Sequence, residues 1–132
     1  MELDVKELLG KTITTIVVKK NDENEDDNIV FTTSDNKKYK MYHDQNCCEK
    51  VNIEDIIGNL EDLIGSPLLM AEEVTSYKNP QDVPLKEQEY GYASYTWTFY
   101  KFAAIKGYVT IRWYGESNGY YSEEVDFEEI EL

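Results

Sequence analysis

Alternation of apolar and polar residues is the strongest signal in this chain, and it is sharpest near the C-terminal end. Tyr95, Trp97 and Phe99 alternate with Thr96, Thr98 and Tyr100, and Val109, Ile111 and Trp113 alternate with Thr110, Arg112 and Tyr114. Aromatic and β-branched residues at period two predict strands over 95–102 and 108–114. Both tryptophans fall on odd positions, which makes the odd set the expected core face. For both odd sets to share a side, the connection must hold an odd number of residues. Ile105-Lys106-Gly107 meets that condition, with Gly107 free to take a left-handed turn position.

The same reasoning runs back along the chain. Val5, Leu8 and Leu9 stand at helical spacing before Gly10, which predicts a short N-terminal helix over 2–9. β-branched runs predict strands over 12–20, 29–33 and 37–43, the last two joined by a turn at Ser34-Asp35-Asn36. Ile53, Ile56, Ile57, Leu60, Leu63 and Ile64 follow the i, i+3, i+4, i+7 spacing of one apolar stripe. With Asn52 as cap and Gly65 and Pro67 as stops, they predict a central helical segment over 53–64, divided at Gly58. Further strands are expected over 68–77 and 120–127, the latter after the loop 115–119. Pro80 and Pro84 mark 79–91 as an irregular surface connection. The expected fold is α+β: one domain over 1–132, mostly an antiparallel sheet of about six or seven strands, one central helical segment and a short N-terminal helix.

Charge narrows the partners. Thirteen Lys and Arg against 27 Asp and Glu give a formal net charge of −14, which opposes direct binding to nucleic acid or anionic membranes and suits a basic protein surface. No apolar run approaches a membrane span, and Met1-Glu2-Leu3-Asp4 carries the wrong charge for a signal peptide, so a soluble cytoplasmic protein is expected. Cys47 and Cys48 are neighbours, and free thiols in a reducing compartment are the expectation. Asp22, Asn24 and Asp26 match the first alternate ligands of a calcium loop, but Asp27 and Thr33 break the pattern. A solvated hairpin loop is the reading preferred.

Chemistry has few candidates. His43 is the single histidine and lies four residues before Cys47, so a small Cys/His enzyme or metal-binding protein using His43 and Cys47 is one alternative. No phosphate-binding loop, dinucleotide fingerprint or nucleophile elbow is present, and no catalytic residue or cofactor is expected. The face carrying Thr98, Tyr100, Arg112 and Tyr114 can stack on a ligand and fork onto a phosphate or carboxylate. Its bland counterpart is a wet sheet face whose arginine, the only one in the chain, pairs with a neighbouring acid.

Several segments together resemble a family of small acidic proteins found in phages and prophages. They are Lys38-Tyr39-Lys40-Met41-Tyr42-His43 running on to Cys47-Cys48-Glu49, Ile53-Glu54-Asp55-Ile56, Leu63-Ile64-Gly65-Ser66-Pro67, Ser94-Tyr95-Thr96-Trp97-Thr98-Phe99-Tyr100-Lys101, and Ile111-Arg112-Trp113-Tyr114-Gly115-Glu116-Ser117-Asn118-Gly119-Tyr120-Tyr121-Ser122. The resemblance implies viral origin and carries no catalytic residues with it. A small viral protein without chemistry is expected to act by occupancy, as an anti-defence or host-takeover inhibitor. It would either cover the basic surface of a host defence protein or sequester a nucleotide-type signal. Arg112, Tyr100, Tyr114, Thr98, Asn118 and Tyr120 are the candidate ligand contacts. A structural accessory protein is the further alternative, and the sequence leaves homo-oligomerisation open.

Overall fold

Alternation governs more of the chain than the sequence suggested. The computed structural model describes residues 2–21, 23–78, 80 and 94–131. Within them the strands are β1 (Ile13–Lys19), β2 (Asn28–Thr33), β3 (Lys38–Tyr42), β4 (Lys50–Ile57), β5 (Met70–Ser76), β6 (Ser94–Ala104), β7 (Gly107–Ser117) and β8 (Asp126–Ile130). They form two four-stranded antiparallel sheets, ordered β1-β2-β3-β8 and β4-β7-β6-β5. The fold is therefore all-β and corrects the expected α+β architecture.

The expected central helix is β4 followed by a single 3-10 turn, Leu60–Leu63. A bulge between Ile53 and Asp55 explains the misreading, because it inserts one residue into the strand. Val51 and Ile53 face the core at period two, and the next inward residue is then Ile56, three positions on. One bulge thus counterfeits a helical i, i+3 step. Residues 58–59 break the strand, and Asn59 caps the 3-10 turn by accepting the Glu61 N–H at 3.0 Å. The N-terminal helix is likewise one 3-10 turn, Val5–Leu8, with Asp4 accepting the Lys6 N–H at 2.9 Å and both end residues buried.

The inner faces share one core. Ile29, Phe31, Tyr39, Met41 and Phe127 of the first sheet meet Ile53, Tyr100, Phe102, Val109, Ile111 and Trp113 of the second. Phe31 tilts against Phe102 at 5.8 Å, and the Trp113 indole N–H reaches Met41 Sδ at 3.3 Å. Burying each of these large side chains contributes about 2–3 kcal/mol. The sheets are also joined by backbone at one end: Gly65 N–H donates to Ile13 O, Leu68 N–H to Lys11 O, and Gly10 N–H to Leu68 O.

The β6–β7 hairpin departs from the expected register. Ala104 pairs with Gly107, so the turn is Ile105-Lys106 alone, and an even turn sets odd residues of β6 opposite even residues of β7. Thr98, Tyr100 and Phe102 therefore face inward with Trp113, Ile111 and Val109. Trp97 and Phe99 face outward with Tyr114 and Arg112. The two tryptophans lie on opposite faces of one sheet. Gly107 does not take the expected left-handed turn position; it lies beside the Asp62 side chain, whose Oδ2 a Cβ there would meet at 2.7 Å. The last strand also starts later than expected, at Asp126, because residues 118–125 form a loop instead.

Candidate functional site

At the end of β6 away from that hairpin turn, a cleft of about 700 Å³ opens between β5, β6 and the loop 119–125. Thr98 and its cross-strand partner Thr75, with Thr96 beyond them, give the cleft hydroxyl-bearing walls. Thr98 is 3% exposed, and no hydrogen bond to another described residue engages its hydroxyl. Thr96 donates its hydroxyl to Glu123 Oε1 at 2.6 Å, and Ser117 donates to Glu123 Oε2 at 2.5 Å. Glu123 is thereby held by two short charge-assisted bonds.

Local sequence explains why Glu123 reaches this position. Gly115 of β7 lacks the Cβ that would lie 2.9 Å from the Glu123 carbonyl oxygen, so the loop crosses closely over the strand. Asn118 Oδ1 accepts the Tyr120 N–H at 3.0 Å and the Ser117 hydroxyl accepts the Gly119 N–H at 3.0 Å, which shape the turn. That turn carries Tyr120 and Tyr121 to the mouth, rings edge to face at 5.1 Å, and Tyr77 stands on the β5 side. Tyr77 and Tyr120 are among the most exposed large side chains of the protein.

Negative charge gathers at the same place. Glu2, Glu73, Glu123 and Glu124 line the cleft, and no Lys, Arg or His does so among the described residues. Burial raises the Glu73 pKa, the Tyr100 hydroxyl at 3.3 Å opposes that, and Asp4, Glu2 and Glu124 add to the rise. Burial and the nearby charges of Asp126 and Glu124 raise Glu2 as well. Glu2, Glu124 and Asp126 bring carboxylate oxygens within 4.8 Å of one another, near enough to hold a metal ion, but at the surface and without a buried ligand.

The structure divides the residues picked from the sequence. Thr98 and Tyr120 line the cleft. Tyr100 is buried just behind it, its hydroxyl on Glu73, and burial together with that carboxylate pushes the phenol pKa up. Asn118 acts through the loop. Arg112 and Tyr114 lie on the opposite face of the sheet. Arg112 is 5% exposed, its Nε bonded to Glu54 at 2.5 Å, its Nη2 3.8 Å from Asp55, and its guanidinium 5.7 Å from the Trp97 ring centre. Tyr114 packs on Trp97 at 4.7 Å and donates to Glu116 at 3.1 Å. Glu73, Glu123, Thr75 and Tyr77 escaped the sequence reading, because their meeting depends on the register of β6 and on the loop crossing at Gly115.

The other chemical candidates are closely bound. His43 is buried with Nε2 at 2.9 Å from Glu49 and Nδ1 at 2.6 Å from the Glu124 carbonyl, so both ring nitrogens face acceptors. Glu49 also accepts the backbone N–H of Asn46 at 3.0 Å and of Cys47 at 2.9 Å. Burial would raise its pKa, but the Cys47 N–H, His43 and the other donors outweigh that and hold it at about 2. The sulfurs of Cys47 and Cys48 are bonded to one another, where free thiols were expected. Of the calcium-like loop, Asp22 lies outside the described residues. Asp27 is turned inward, accepting the N–H of Asn21 at 3.0 Å and of Ile53 at 2.8 Å. The expected connection over 79–91 lies outside the described residues apart from residue 80.

Fold and site together define a two-sheet antiparallel β protein with a tyrosine-rimmed acidic cleft at one end. Residues 6–127 match the family described as a domain of unknown function, DUF7448, and the chain belongs to that family. No curated protein and no solved structure shows a significant match to the chain. No helix among the described residues is long and apolar enough to cross a membrane.

Proposed function

We propose that this chain is a non-catalytic binding protein that acts by occupying a basic surface on another macromolecule. The observation that carries the reading is the crowding of Glu2, Glu124 and Asp126 beside Glu73, with no basic side chain paired to them among the described residues. Like charges gathered this way oppose folding, and a cationic partner relieves them. The chain's net charge of −14 extends the same complementarity to long range.

Two further observations favour occupancy over turnover or nucleotide capture. Both nitrogens of His43 are engaged by hydrogen bonds, which leaves neither as a free base. The Arg112 guanidinium is held by Glu54 and Asp55 on the face away from the cleft, and four carboxylates line the cleft itself. In the setting implied by the likeness to phage and prophage proteins, the partner is a host defence protein with a basic surface, and this chain is its inhibitor in the host cytoplasm.

The test compares the natural chain with a Glu2→Gln/Glu124→Gln/Asp126→Asn variant in capture from host lysate at low and high ionic strength. The expected result is a partner retained at low salt, released by high salt and lost from the variant. Retention indifferent to both salt and neutralisation, or repeated turnover of any substrate that depends on His43, would overturn the proposal.

A further inference from the structure

We infer that the cleft bounded by Thr98, Glu73 and Glu123 takes a single organic cation, an alkylammonium or guanidinium group, with Tyr77, Tyr120 and Tyr121 closing over it. The inference rests on the reading of the chain as a non-catalytic binder, and it names the chemistry of one pocket within its acidic surface.

Three independent features point the same way. The volume of about 700 Å³ suits a ligand of small-molecule size, well above a bare ion. The Thr98 hydroxyl, on a residue 97% buried by its 3% exposure, faces this space with no protein partner among the described residues. A hydroxyl in that position accepts a hydrogen bond from an ammonium or guanidinium N–H. Finally, the mouth is built of tyrosines, whose ring faces attract cations by about 0.5–2 kcal/mol each, more when water is excluded.

Charge decides between ligand classes. A phosphate or carboxylate entering the cleft would meet Glu2, Glu73, Glu123 and Glu124 with no described counter-cation. A neutral polyol could use the hydroxyls and rings but would leave those carboxylates uncompensated. A cation uses all three features at once. Glu123, already fixed by Thr96 and Ser117, offers a preorganised carboxylate, and Glu73 is held by Tyr100. The cation can come from a free polyamine or from a Lys or Arg side chain of the docked partner, and both sources present the same group.

The test is titration calorimetry with amide NMR on the full chain, using four probes: spermidine, a short peptide bearing Lys and Arg, methyl α-glucoside and AMP. The expected result is one-to-one binding of a cationic probe, with shifts centred on Thr98 and residues 119–124. Tyr120→Ala and Thr98→Val should each weaken it by at least about fivefold. Asp35→Asn, an exposed acid that neither lines the cleft nor belongs to the Glu2, Glu124 and Asp126 group, should weaken it far less. Spermidine alone binding identifies a free amine, and the peptide alone binding identifies a partner side chain; either supports the inference. Preferential binding of the glucoside or AMP, no cation binding by the folded chain, or cation affinity in the two cleft variants equal to that of the natural chain would overturn it. Lysate capture by Tyr120→Ala, run in parallel, separates the two readings. Salt-sensitive capture that persists without cation binding sinks the cleft inference alone. Cation binding that persists without capture sinks the docking reading.

Discussion

Replacing Glu49 by Gln removes one negative charge from a site that receives four hydrogen bonds. His43 Nε2, the backbone N–H of Asn46 and Cys47, and Gln45 Nε2 at 3.3 Å all point at this carboxylate. Its pKa is held at about 2 against an ordinary 4.5. At about 1.4 kcal/mol per pH unit, that difference contributes about 3 kcal/mol of stability at neutral pH. The folded state holds this proton less tightly than the unfolded state. The contribution is therefore complete above about pH 5 and drains as pH falls toward the folded value, leaving about 1 kcal/mol at pH 3. Glu49→Gln should lose about 3 kcal/mol at pH 7, since the amide turns a donor toward backbone donors, and the gap should close to about 1 kcal/mol at pH 3. Urea unfolding of both proteins at pH 7, 5 and 3, followed by tryptophan fluorescence, measures this directly. Because only the difference between them is used, the other carboxylates cancel. A gap that stays constant with pH, or one below about 1 kcal/mol at pH 7, would refute the reasoning.

Other perturbations follow from the same geometry. Arg112→Ala should cost about 3 kcal/mol in denaturant unfolding, because it strands Glu54 and uncovers Trp97; Arg112→Lys should recover part of that. Gly58→Ala should cost about 2 kcal/mol or more in the same assay. Its φ is +108°, and the new Cβ would lie 2.6 Å from the Tyr108 carbonyl oxygen. Glu2→Gln/Asp126→Asn should raise the melting temperature at low ionic strength, with the gain shrinking as salt is added. Since the Glu2 pKa is raised in the folded state, that gain should also shrink as pH falls and Glu2 takes up its proton.

How far the residues announced this structure depends on the stretch. β1, β2, β3 and the β6–β7 hairpin were legible because β-branched and aromatic residues dominate them, as runs in β1 and β2 and in alternation in the hairpin. Residues 53–64 were not, because the bulge at Ile53/Asp55 converts a strand's period into a helix's for one step, and Asn59 then caps a turn too short to be a helix. The inward face of β6 was misjudged for a different reason. Both faces carry large rings, since Trp97 is buried on the outer side against Arg112 and Tyr114, so aromatic content alone does not choose between them. That choice rests on a turn of two residues rather than three. Thr98 and Tyr120 could be selected by residue type, but their meeting with Glu73 and Glu123 follows from pairings between β5 and β6 and from the bare Cα of Gly115.

Among the described residues, the backbone-to-backbone links between the two layers, made by Gly10, Lys11, Ile13, Gly65 and Leu68, lie near the β6–β7 hairpin turn. If those links set local stability, opening should be graded along β6. Amide protons around Phe102 should exchange with deuterium slowest, and those near Thr96 soonest. A ligand entering the cleft beside Thr96 and Thr98 would thus meet β6 at the end farthest from those backbone links.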